Sequence, residues 1–472
     1  MITSIKKRNL FLILLIICII SRIATGIYYI EDIDSLRFAL SIKEYDVAKL
    51  QPHFPGYPIF CLCVKALYFF VGSLGLSFSI IGGISLFIII YFSLQLFQVQ
   101  LNSHSGIFFA SIIFFNPLFW LMSNRYMPDL MGLSISIMVL YFLTIKSNES
   151  KVLILGFILA GILVGTRLSY IPLLFLPLII HLLKSNRNYH LLFSFTVGCL
   201  VWLVPLVWLT GLSDLYHAAI KQTMGHFSDF GGTIITEGMW GERIISVIRS
   251  VWADGLGGYW FGRSFQTLLV SVPMVYFLYH GMDKKIVYDM DKNTAIIIGS
   301  FLIYLVWILL FQNVIYKSRH VLPLIIICIF LINKGIQTLR DKDQIFPIVT
   351  VLFFLGLINI TSVLVKQHMK PNAISSLKDQ LINKNEKETI ASIPLINYYL
   401  KYHGLKNQFI DIENENDVKK IKLLDDEKLI LIGNFKESFH DDYRVEDRTD
   451  FYHNPYVNRM WSEISMYSVG KK

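Results

Sequence analysis

From the first helix to about residue 365 the chain is a succession of apolar runs, with its charge confined to short connections between them. No water-soluble core accepts so many consecutive apolar stretches, so the pattern demands a bundle of helices that cross a lipid bilayer. Of 472 residues 54% are hydrophobic and 16% charged, where soluble domains carry about a quarter charged residues. Beyond residue 365 the composition reverses and charge and Asn become dense. The expected organisation is a transmembrane domain over residues 1–365 and a soluble domain over 366–472.

The net charge of +9 does not indicate nucleic acid, because Lys and Arg sit in clusters between apolar runs and in the tail, where membrane topology accounts for them. The five cysteines all lie inside apolar segments, and Cys61 and Cys63 lack a second ligand pair, so they read as packed or lipid-facing thiols. Lys6-Lys7-Arg8 before the first run predicts a cytoplasmic N-terminus and an uncleaved first helix. Ten further spans are expected near 78–97, 106–122, 130–146, 152–166, 169–184, 191–211, 264–281, 294–312, 320–334 and 344–365. The run 56–72 is read as a helix lying on the outer surface, because letting it cross would put the Lys- and Arg-rich connections outside. The result is about eleven spans in a cytoplasmic (inner) cell membrane, outer loops at 29–77 and 212–263, and an extracytoplasmic C-terminal domain.

This topology gathers polar residues on one face. Glu31-Asp32-Ile33-Asp34 follows the first span, and Asp34 or Asp32 could act as a general base. His53 and Tyr57, in Pro52-His53-Phe54-Pro55-Gly56-Tyr57-Pro58, are candidate substrate-binding residues, His53 either donating to a substrate or positioning a carboxylate, or sitting passively in a rigid turn. Arg125 and Asp129 stand at the outer end of a span, either as substrate-binding groups or as an ion pair capping the next helix. Arg167, in a turn between two spans, suits a bidentate grip on phosphate. Lys317, Arg319 and His320 precede another span and could hold a lipid phosphate or pyrophosphate head group. The loop 212–263 adds His217, Lys221, His226, Asp229, Glu237, Trp240 and Asp254. The tail reads as a small α/β unit with a helix over 386–400, a buried strand at 428–433 and an aromatic turn at 451–456.

In order along the chain, Asp34-Ser35-Leu36-Arg37, Pro52-His53-Phe54-Pro55-Gly56-Tyr57-Pro58, Arg125…Asp129, Gly165-Thr166-Arg167-Leu168-Ser169 and Arg319-His320-Val321-Leu322-Pro323 resemble the polytopic C-type (GT-C) glycosyltransferases, in particular the protein mannosyltransferase and aminoarabinose transferase type. The resemblance implies an all-α polytopic fold with a small C-terminal α/β domain. It also implies an enzyme that moves a hexosyl or pentosyl group from a polyprenyl-phosphate donor to a glycan, lipid or protein acceptor on the extracytoplasmic face. Under it Asp34 is the presumed base, Arg167 and Arg319 hold the donor phosphate, and inversion proceeds with no metal and no cofactor beyond the donor lipid. Ile33 separates Asp32 from Asp34 where such enzymes often carry adjacent acids, so either aspartate could be the base. The competing readings are a polymerase or ligase for lipid-linked glycans, kept open by His217 and His226, and a lipid or solute transporter, against which the absence of a visible repeat argues.

Overall fold

The computed structural model describes all residues except 1, 185–187, 230–232, 237–238, 283–290, 315–316, 341, 384–387, 423–427 and 440–441. The chain divides into two compact units: Met1–Gly26 with Phe38–Lys366, and Ile27–Arg37 with Gln367–Lys472.

The helices of the larger unit are α1 Ile2–Ala24, α2 Ile33–Lys43 (from Phe38 onward), α3 Pro58–Val71, α4 Leu74–Leu96, α5 His104–Phe114, α6 Pro117–Asn124, α7 Asp129–Thr144, α8 Ser150–Arg167, α9 Ile171–Lys184, α10 Asn188–Thr210, α11 Leu212–Met224, α12 Trp240–Arg249, α13 Leu268–Gly281, α14 Lys292–Phe311, α15 Leu322–Leu339 and α16 Phe346–His368 (to Lys366). Among the described residues six helical stretches are long and apolar enough to cross a bilayer, or seven if a bent pair counts as one span. The protein is a multi-pass membrane protein.

The bent pair corrects the expected straight span at 106–122. α5 stops at Phe114 and α6 restarts at Pro117 with a 52° bend. Asn116 caps the new helix by accepting from Phe119 N at 3.0 Å, and Pro117 occupies its first turn.

The stretch Ser150–Lys184 is two helices rather than one. Arg167 leaves helical geometry (φ −157°, ψ 86°) ahead of a 3₁₀ turn, Leu168–Tyr170. A Cβ on Gly132, near the start of α7, would lie 3.2 Å from Tyr170, and at the other end of α7 His181 Nε2 is 2.7 Å from Leu143 O. α9 therefore runs parallel to α7, while Arg167 at the end of α8 meets Asp129 at the start of α7. α8 and α10 cross tightly because both are glycine at the contact. A Cβ on Gly198 would lie 2.1 Å from Ile158 O, and one on Gly161 would lie 2.3 Å from Phe195 O. Trp202 Nε1 donates to Gly161 O at 2.9 Å, closing the seam with a hydrogen bond.

The smaller unit carries α17 Ala373–Ile382, α18 Pro394–Tyr402, α19 Glu415–Lys422, α20 Lys436–Phe439 and five strands: β1 Thr389–Ser392, β2 Phe409–Asp411, β3 Lys428–Ile432, β4 Tyr443–Tyr452 and β5 Glu463–Lys471. The sheet order is β2-β1-β3-β5-β4. β1 pairs parallel with β2 and β3, and β5 pairs antiparallel with β3 and β4. β3 is apolar from Leu429 to Ile432 because it is central and covered on both faces. β4 forms the edge, is mostly exposed, carries Arg444, Glu446, Asp447, Arg448 and Asp450, and has an irregularity between Val445 and Asp447.

The helix expected over 386–400 is a correction. Residues 386–387 lie outside the described residues, Thr389–Ser392 form a strand, and the helix begins only at Pro394. Thr389 and Ile390 are β-branched and pair with Leu429 and Ile430, so strand pairing overrides the apparent helical period. The aromatic stretch at 451–456 begins inside β4 and turns only after Tyr452.

Candidate functional site

In the larger unit, the loop before α3 is shaped before its polar side chains are placed. Asp46 and Gln51 exchange backbone hydrogen bonds at 2.8 and 2.9 Å, and the peptides before Pro52 and Pro55 are cis. Tyr45 Oη donates to Gly56 O at 2.8 Å, and Gly56 sits at φ +87°. A Cβ there would lie 2.5 Å from Tyr45 Oη, so glycine is required on two counts. Val47 packs with Trp202, Leu206 and Leu215, fastening the loop to α10 and α11.

That frame delivers His53 and Tyr57. His53 Nε2 lies 3.1 Å from Tyr57 Oη, and both rings meet Phe38 edge-on. Arg167 Nη1 donates to Tyr57 Oη at 3.4 Å, and its guanidinium lies within 6 Å of the Tyr57 and Tyr170 rings.

Arg167 also places Nη2 2.7 Å from Asp129 Oδ1, and Arg319 Nε lies 3.9 Å from that same oxygen. Asp129 is fully buried in the first turn of α7, where the helix dipole favours an anion. The stem of Arg167 lies directly on α7, since a Cβ on Gly132 would come within 2.5 Å of Arg167 Cβ. Arg319 and His320 are buried in the 3₁₀ turn Ser318–Val321, which opens α15. Tyr304 Oη donates to His320 O at 2.9 Å and the Tyr304 ring meets Tyr170, tying this turn to α14 and to the α8–α9 turn. Arg319 Nη1 approaches Met127 Sδ. Arg125 is buried at the end of α6 and Lys317 is half-buried. The structure thus brings together His53, Tyr57, Asp129, Arg167 and Arg319, with one carboxylate between two guanidiniums. Asp129, left open above as a capping partner for Arg125, takes Arg167 and Arg319 as ion-pair partners.

Sequence reading missed Gly132, Tyr170 and Tyr304. Tyr170 had a signal, lying three residues beyond Arg167 in the same turn; Gly132 and Tyr304 had none beyond their apolar helices. Of the residues in the loop 212–263, Glu237 and the side chain of Asp229 lie outside the described residues, and His226 Nε2 is 2.8 Å from Phe311 O at the end of α14.

In the smaller unit the acidic segment has partners of its own. Glu31 Oε2 lies 3.0 Å from His368 Nε2, with both side chains almost wholly buried. Asp32 opens α2 as its cap, accepting from Ser35 N at 2.8 Å, and its other oxygen accepts from Asn458 Nδ2 at 3.1 Å. Asp34 is buried in the first turn of that helix, with Arg37 Nη1 3.9 Å from Oδ1.

No protein-family model matches the sequence, and no curated protein matches it. Solved structures do. ArnT from Cupriavidus metallidurans bound to undecaprenyl phosphate aligns over 97% of both chains with a TM-score of 0.54 at 10% identity. The apo state of the same protein aligns over 98% of both chains with a TM-score of 0.56 at 11% identity. The chain has the ArnT fold. The match runs through the helices and the C-terminal domain alike, and it agrees with the GT-C architecture expected from the short motifs. At this identity the ArnT likeness is one of fold, and the chemistry of the site is argued from its own residues.

Proposed function

We propose that the protein is a membrane glycosyltransferase that takes a sugar from a polyprenyl-phosphate donor and passes it to an acceptor hydroxyl on the extracytoplasmic face. The observation that carries this reading is the buried Asp129–Arg167–Arg319 cluster. Two buried guanidiniums converge on one carboxylate, and a phosphate of the donor lipid is an anion suited to a pair of Arg forks. ArnT, with which the chain shares its fold, has been solved bound to a lipid phosphate.

In the proposed reaction Arg167 and Arg319 hold the donor phosphate, and His53 and Tyr57 line the same site. Asp34 takes the proton of the acceptor hydroxyl as its oxygen bonds to the anomeric carbon. The bond from that carbon to the phosphate oxygen breaks, its electron pair leaves with the polyprenyl phosphate, and configuration inverts. The negative charge of the departing phosphate is neutralised by guanidiniums already in place, which removes the need for a metal at that step. Lys317 and His320, beside Arg319 in sequence, and Arg125 complete the donor site in this reading.

The test follows the fate of polyprenyl phosphate labelled in its single sugar, in proteoliposomes holding the purified protein and an extract of cell-envelope glycans. Label transferred one sugar at a time, with release of polyprenyl phosphate, supports the reading. Intact labelled lipid crossing the bilayer points to a transporter instead, and transfer only of preassembled lipid-linked glycan points to a polymerase or ligase.

A further inference from the structure

We infer that the C-terminal unit sets the position of the acidic segment and that Asp32 and Asn458 are positioning residues for Asp34; this rests on the glycosyltransferase reading, in which Asp34 is the base. Residues 29–32 are held at every position by side chains or carbonyls from beyond residue 366. Tyr29 Oη donates to His368 O at 2.7 Å, Tyr399 Oη donates to Ile30 O at 2.5 Å, and Asn372 Nδ2 donates to Glu31 O. Glu31 Oε2 meets His368 Nε2 at 3.0 Å, and Asp32 Oδ2 accepts from Asn458 Nδ2 at 3.1 Å. A connecting loop ordinarily leaves such carbonyls to water.

The holding groups are themselves fixed. Asn372 Oδ1 accepts from Ser375 N at 3.2 Å, capping α17 while its amide reaches Glu31. Asn458 Oδ1 accepts from Met460 N at 3.0 Å, and its carbonyl lies 2.8 Å from His453 Nε2. His453 Nδ1 in turn accepts from Ala373 N at 3.2 Å. The turn after β4 is therefore braced against α17 before it touches Asp32.

This geometry separates the two aspartates. Both carboxylate oxygens of Asp32 are engaged, one as the cap of α2 and the other with Asn458. Asp34 lies two residues further into the helix that Asp32 starts, so the cap and its brace fix where the Asp34 carboxylate points. A displacement of about 1 Å at a reacting group costs on the order of a hundredfold in rate.

The experiment uses the full-length protein in lipid nanodiscs, comparing wild type with Asp32→Asn, Asp32→Ala, Asp34→Asn and Asn458→Ala. Backbone hydrogen exchange of residues 29–37 and sugar transfer are read on the same samples. Asp32→Asn keeps the cap of α2 but turns an amide NH2 onto Asn458 Nδ2, so it should lose about ten- to hundredfold in kcat, like Asn458→Ala, whereas Asp34→Asn should lose transfer altogether. Asp32→Ala and Asn458→Ala should raise exchange at 29–37 about tenfold and cut kcat about ten- to hundredfold, with donor KM little changed. Unchanged exchange in Asn458→Ala, or raised exchange with unchanged kcat, overturns the inference. So does an Asp32→Asn variant as inactive as Asp34→Asn. Should Asn458→Ala unfold the sheet, seen as exchange at β3 and β5, the Asp32→Asn and Asp34→Asn comparison decides alone. If the wild type transfers no sugar at all, the glycosyltransferase reading fails, while the exchange measurement still reports whether the brace exists.

Discussion

Arg167 Nη2 and Asp129 Oδ1 stand 2.7 Å apart at the junction of α8 and α7, and that single carboxylate also lies 3.9 Å from Arg319 Nε. The pair orients two cations that a substrate phosphate is proposed to share. Asp129→Asn should destabilise the purified protein by about 3–5 kcal/mol, because it leaves a buried guanidinium without its counter-charge. A melting curve in detergent checks this, and an unchanged curve would show that the pair has no structural role.

Arg167→Lys keeps the charge and loses the planar fork. Donor turnover should fall about a hundredfold or more while the protein remains folded. The check is the rate of sugar release from labelled donor, measured beside a melting curve.

Gly56→Ala places a methyl where the backbone is left-handed and Tyr45 Oη would be 2.5 Å away. A loss of about 1–3 kcal/mol is expected from backbone strain and crowding together. Gly198→Ala should cost a similar amount, about 1–3 kcal/mol, because its Cβ would meet Ile158 O at 2.1 Å. Gly241→Ala on α12, where nothing lies within 4 Å, serves as the control and should be neutral or slightly stabilising. Thermal unfolding of the three variants side by side distinguishes crowding from glycine replacement in general.

The long apolar runs made the membrane helices legible, since a period of about twenty residues between charged connections admits little else. The gathering of Arg167, Asp129 and Arg319 at one end of the bundle was legible for the same reason: each stands where a span begins or ends. The break at Asn116-Pro117 carried its own signal, an N-cap followed by proline, that the apolar run around it obscured. The partners of the acidic segment had no local signal. Asp32 and Asn458 are 426 residues apart, and pairing over that separation depends on the fold of the C-terminal sheet. β1 was hidden for a related reason, since Thr389 and Ile390 become a strand only beside β3.

The C-terminal unit should carry a measurable acid sensitivity. Burial holds the His403 pKa below its ordinary 6.5, outweighing the hydrogen bond to Tyr399 O and aided by Lys378. The fold therefore prefers neutral His403, and its contribution is complete above pH 6.5 and lost as pH falls from there towards the lower folded value. Asp417 and Asp450 are shifted below 3.8 by hydrogen bonds to Lys420 and to Ser465 and Arg448, so their contributions decline only in stronger acid. Hydrogen exchange of the sheet, relative to the intrinsic amide rates at each pH, should rise as pH falls below about 6.5, and His403→Gln should flatten that rise.

The most direct measurement is sugar transfer from radiolabelled polyprenyl-phosphate donor by the purified protein in proteoliposomes, wild type against Asp34→Asn, with insertion and folding verified for both. The wild type should place label on the acceptor and release free polyprenyl phosphate, and Asp34→Asn should give neither product above background. Transfer by Asp34→Asn at the wild-type rate would contradict the role of Asp34 as base.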